Sequence, residues 1–139
     1  MLEEARERSS GDSKISISLE MLTWLANSRQ WDRFEAIASE IRLSSQKEKM
    51  HRSSFHRIMA NRELLRNNPY AALAELEKAE TATPFNALIA LEKARIYVQL
   101  GYPSRASSEY RKALKIDPDN EAASTALHQL ESQTSRSSL

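Results

Sequence analysis

The chain has 139 residues, 28% charged and 40% hydrophobic, with a formal net charge of +1. That is the composition of one soluble globular domain, with no global field drawing it toward nucleic acid or an acidic partner. With no Cys and only two Gly, it excludes disulfide frameworks, thiolate zinc sites, Cys nucleophiles and glycine-rich phosphate loops.

Residues 1–13 are rich in Ser and charge, and they lack the apolar stretch of a secretion signal. They are expected to form a disordered tail, as are residues 134–139. Between them, 14–133 reads as one helical domain of about seven helices. Leu19, Leu22, Leu25 and Ala26 mark the first, at about 16–28. Gln30-Trp31-Asp32 makes a turn, and Phe34, Ala38 and Ile41 mark the second, at about 31–43. The third spans about 48–66. Asn68 is placed to cap the fourth, at about 69–82, with Pro69 in its first turn. The fifth, about 85–100, ends at Gly101, which suits a left-handed residue. Pro103 opens the sixth, about 103–116. Pro84 and Pro118 fall between helices, where the chain must stop one and start another. Asp119 is placed to cap the seventh, about 120–133, whose apolar stripe is Ala122, Ala126, Leu127 and Leu130. Such a helix would cover the open face of a terminal repeat.

Laid over itself at one fixed offset, the chain matches its own sequence. Ala60 falls on Ala94, Ala72 on Ala106, Leu76 on Tyr110, Ala79 on Ala113, and Pro84 on Pro118. Ala72 and Ala79 are seven apart and share one helix face. Small residues there let two helix axes approach, and Leu76 or Tyr110 fills the space between.

Small, aromatic, small, aromatic, small, then Pro, at a period of about 34 residues, resembles the tetratricopeptide repeat. The clearest copy, about 87–120, carries Ala94, Tyr97, Gly101, Ala106, Tyr110, Ala113 and Pro118, and closes on Lys-Ile-Asp-Pro-Asp-Asn. A second copy, about 53–86, has Glu63 at an aromatic position and Asn67 in place of Gly. A degenerate copy precedes them. The resemblance implies an all-α, right-handed solenoid of antiparallel helix pairs with a C-terminal capping helix.

No catalytic set, metal site or cofactor motif stands in the sequence. His51 and His56 are five apart, a poor metal pair on a helix, and the three histidines read as solvated surface residues. The chain is expected to be no enzyme and to need no cofactor. From Lys47 to Arg66, six cations face only Glu48 and Glu63. This is either a solvated helix face or a basic strip for an acidic peptide or, less favoured, a phosphate backbone.

In the family it resembles, first helices of successive repeats line a groove. The resemblance places Arg57, Asn61, Leu64 and Leu65 there from one repeat, and Leu88, Leu91, Arg95, Val98 and Gln99 from the next. Trp31 is expected to pack inside, while Trp24 is either core or an exposed anchor. The expected function is a protein–protein interaction module, an adaptor or scaffold, holding a peptide or helix of another protein. The alternative is a small chaperone for a secretion-system or assembly subunit. Homo-oligomers stay open, nucleic acid is disfavoured, and no membrane partner is expected, since no apolar run approaches the roughly 20 residues of a span. The lack of Cys fits a reducing, cytoplasmic setting.

Overall fold

The computed structural model describes residues 2–8 and 11–137. Among them are eight α-helices and no strand: α1 (Leu2–Arg8), α2 (Asp12–Asn27), α3 (Trp31–Ile41), α4 (Lys49–Leu65), α5 (Pro69–Ala82), α6 (Ala87–Leu100), α7 (Pro103–Ile116) and α8 (Glu121–Ser137), with a 3-10 turn at Ser44–Gln46. The all-α expectation holds, and α3 to α7 begin and end close to the boundaries read from the sequence. The chain divides into two compact units, Met1–Thr83 and Pro84–Leu139.

Within residues 1–13, expected as a tail, the backbone is helical at 2–8 and from 12 onward. Residues 2–8 form α1, which packs on α2, and α2 begins at Asp12. Arg6 is buried against Ser18, to which its Nε donates at 2.7 Å, and it pairs with Glu40. Glu3 pairs with Arg33. These contacts join residues far apart in the chain, so no local periodicity announces them. At the other end the helical backbone continues to Ser137, and residues 138–139 lie outside the described residues.

In the first unit, Leu19, Leu22 and Leu25 of α2 meet Phe34, Ala38 and Ile41 of α3 and Phe55 and Met59 of α4 in one core. Helix α5 packs along α4 with Ala72, Leu76 and Ala79 fully buried. In the second unit, Ala90, Leu91 and Ala94 of α6 meet Ala106, Tyr110 and Ala113 of α7 and Ala123 and Leu130 of α8. Helix α8 packs on α7 as a cap would. Its innermost alanine is Ala123, while Ala122 is exposed. Its cap is Asn120, whose Oδ1 accepts from Ala123 N at 3.0 Å, and not Asp119.

Three helices end in the same way. Arg29, Asn67 and Gly101 have φ of 58°, 62° and 82°. At each, that residue's N–H bonds the carbonyl three residues back, and the next N–H bonds the one five back. The pairs are Arg29 to Ala26 and Gln30 to Leu25, Asn67 to Leu64 and Asn68 to Glu63, Gly101 to Val98 and Tyr102 to Tyr97. This double closure satisfies helix-end carbonyls that would otherwise lack donors. The side chain of Asn68, expected to cap α5, instead donates to Glu63 Oε2 at 3.0 Å.

These turns set the register of the degenerate copy. Asn67 and Gly101 stand one repeat apart, while Arg29 precedes Asn67 by one repeat and four positions more. The four extra positions correspond to the first turn of α4, Lys49 to Arg52. Helix α3 ends early, and the 3-10 turn fills the difference.

Candidate functional site

The face of α6 turned from its core is formed by residues that the core pattern does not use. Ala87, Ala90, Leu91 and Ala94 follow the three- and four-residue spacing of one stripe and pack inward. Leu88, Arg95, Val98 and Gln99 fall outside that stripe and are exposed, Leu88 at 42% and Val98 at 45%. Four of the five positions expected on this helix are therefore at the surface. Leu91, 4% exposed, belongs to the core, because it lies one turn from both Ala87 and Ala94.

The matching face of α4 is more enclosed. Arg57, Asn61 and Leu64 are half-buried. Asn61 Nδ2 donates to Asn27 Oδ1 at 3.3 Å, which ties α4 to the end of α2. Leu65 packs against the first core and its carbonyl accepts from Arg29. On this helix, the end of α2 and the turn after it already occupy part of the surface that the sequence assigned to a partner.

The basic run is not one strip. Arg52 donates to the Gln46 carbonyl at 2.8 Å. Arg62 lies over the Phe34 ring at 5.4 Å and pairs with Glu35 and with Glu63 at 3.1 Å. What stays exposed is Lys47 and Lys49 at one end of α4 and Arg66 at the other. A helix of this length separates them by about 25 Å, so a continuous track for a phosphate backbone is broken.

Two buried polar pairs went unseen in the sequence, one in each hairpin. His56 Nδ1 lies 2.7 Å from Glu75 Oε2, with the two side chains 12% and 19% exposed. A carboxylate only accepts, so the imidazole donates. Gln46 Nε2 stands 3.4 Å from the other ring nitrogen. Burial pushes Glu75 up, but the His56 hydrogen bond and the Lys78 charge outweigh it, and the carboxyl sits below the ordinary Glu value. His56 is thus not the solvated histidine expected. In the second unit, Lys93 Nζ lies 3.1 Å from Glu109 Oε1, with side chains 7% and 15% exposed. Glu75 and Glu109 hold the same position in successive repeats. The one signal for Lys93 was its place amid Ile89, Ala90, Ala94 and Ile96, all buried. At Tyr110, burial pushes the phenol up against the opposing charge of Arg95.

Trp31 packs partly buried against the first core, edge-on to Phe34 at 6.3 Å. Trp24 is 54% exposed and borders a cleft of about 350 Å3 with Leu2, Glu3, Met21, Leu25 and Arg33. Among the described residues no group of three or more His, Asp or Glu is placed to hold a metal ion, and no helix is long and apolar enough to cross a membrane.

A family model described as Tetratricopeptide repeat matches residues 88–120, which cover α6, α7 and the approach to α8. No curated protein matches the chain.

Proposed function

We propose that this chain acts as an interaction module: residues 88–120 match the tetratricopeptide repeat, and such repeats generally mediate protein–protein interaction. The outer face of α6 holds a segment of a partner protein. The observation that carries this is the outer face of α6. Leu88 and Val98 stand exposed around Arg95 and Gln99, on a helix whose other side is fully committed to the core. Apolar anchors around a cation suit an extended or helical segment with apolar contacts and an acidic side chain between them. In the first unit, Arg57, Asn61 and Leu64 of α4 form a smaller, half-buried surface of their own. Leu65 and Leu91 act from beneath, by packing.

The test is co-purification from cells with the tagged chain and with a variant carrying Arg95→Glu and Val98→Asp. Both positions are exposed, so the variant keeps its fold. A specific partner retained by the native chain and lost by the variant is expected. A partner set unchanged by these substitutions would remove α6 from the site.

A further inference from the structure

The connection between α3 and α4 is built inside out. Two of its polar residues, Ser45 and Gln46, face inward. Ser45 is fully buried, and its Oγ donates to the Arg42 carbonyl at 3.0 Å. Gln46 is tied to α4 twice, through Arg52 on its carbonyl and His56 beside its amide. Two large apolar residues here face water: Leu43 in the connection, 84% exposed, and Met50 in the first turn of α4, 65% exposed. The two are flanked by exposed cations, Arg42, Lys47 and Lys49, with Glu48 the acid among them. Arg42 is also held in place, over the Phe55 ring at 5.5 Å.

A loose loop exposes apolar side chains at random. This one is fastened from within, so Leu43 and Met50 are held outward by the contacts beneath them. Burying Ser45 while exposing Leu43 reverses the usual partition.

We propose that this connection rests on an anionic lipid surface, with Leu43 and Met50 dipping into the headgroup layer and Arg42, Lys47 and Lys49 meeting lipid phosphates and carboxylates. Side chains this exposed are knobs, and a bilayer receives knobs without a matching socket. The cations supply the charge complement. The expectation of no membrane partner rested on the lack of a spanning run, and a peripheral contact requires none. With two apolar side chains and a few cations the contact is weak and reversible, and salt weakens it.

The experiment is co-sedimentation of the full chain with phosphatidylcholine vesicles carrying about 40 mol% phosphatidylserine, and with phosphatidylcholine alone, at low salt. About fivefold more bound protein is expected on the anionic vesicles. Leu43→Ser with Met50→Ser, and separately Lys47→Glu with Lys49→Glu, should each remove most of that excess while circular dichroism stays unchanged. Leu88→Ser with Val98→Ser should leave it intact, which keeps the result separate from the role of α6. Equal binding to neutral vesicles, or binding undiminished by the Leu43 and Met50 substitutions, would overturn the proposal. So would binding to soluble polyglutamate with none to vesicles, which would assign the loop to an acidic protein.

Discussion

The α4–α5 and α6–α7 hairpins share one repeat frame and fill it differently. Ala60, Ala72 and Ala79 in one, and Ala94, Ala106 and Ala113 in the other, are all buried at the helix contact. Around them the residues change. Leu76 becomes Tyr110, Glu63 becomes Tyr97, and Asn67 becomes Gly101. The inward carboxylate is kept as Glu75 and Glu109. Its partner moves, from His56 in one to Lys93 in the other, almost one turn further along the first helix when the two are superposed in register. The alanines fix how closely two helices approach. The polar pair has only to be completed, and either first-helix position can reach it.

The largest difference between the hairpins should come from removing those partners. Lys93→Met leaves Glu109 enclosed with its second oxygen, Oε2, already without a hydrogen bond. A loss of about 3 kcal/mol is expected in urea unfolding. Glu109→Leu in the same chain should recover most of it, since an apolar pair of similar size replaces a buried ion pair at little cost. If Lys93→Met is neutral, the pair is not structural.

His56→Ala should cost less, about 1–2 kcal/mol, because Lys78 still faces Glu75 at 3.3 Å. The same urea titration checks it, and a loss exceeding that of Lys93→Met would reverse the ranking of the two hairpins.

The turns come next. Gly101→Ala should cost about 1 kcal/mol from its left-handed backbone alone, since an added Cβ would meet nothing within 4 Å. Asn67→Gly should be neutral or slightly stabilising. Thermal melts of both decide whether the two turns are equivalent, and a neutral Gly101→Ala would deny it.

The smallest effect is on the acid side. Glu75 has its folded value depressed, so its contribution is present above the unfolded carboxylate range, about pH 4.3, and is lost as pH falls through and below it. Glu40 is also depressed, chiefly by the Arg6 hydrogen bond. It lies at the surface, so salt should blunt its share while leaving that of Glu75. Glu75→Gln should flatten the acid limb of stability against pH, and an unchanged limb would remove Glu75 from it.

The two hairpins were legible because their signals are local: Pro69 and Pro103 in first turns, Asn67 and Gly101 at helix ends, alanines seven apart. Helix α1 was not, because Leu-Glu-Glu-Ala-Arg-Glu-Arg has no apolar stripe and is held by Arg33, Glu40 and Ser18 from elsewhere in the chain. The candidate site was half legible. The exposed face of α6 follows from its period, which also puts Leu91 inside. What α2 and α3 would cover on α4 depended on the register of the first copy, which only the backbone at Arg29 fixes. His56 and Lys93 were hidden because their partners sit on the following helix, at no fixed sequence spacing.

The most direct test of the binding role is photo-crosslinking in cells from a photoreactive residue at Val98, on the exposed face of α6, against one at Ser108, on the exposed side of α7. A discrete adduct from Val98, absent from Ser108 and lost with Arg95→Glu, is the expected result. Equal adducts from both positions, or none from Val98 in cells where the chain co-purifies with a partner, would contradict it.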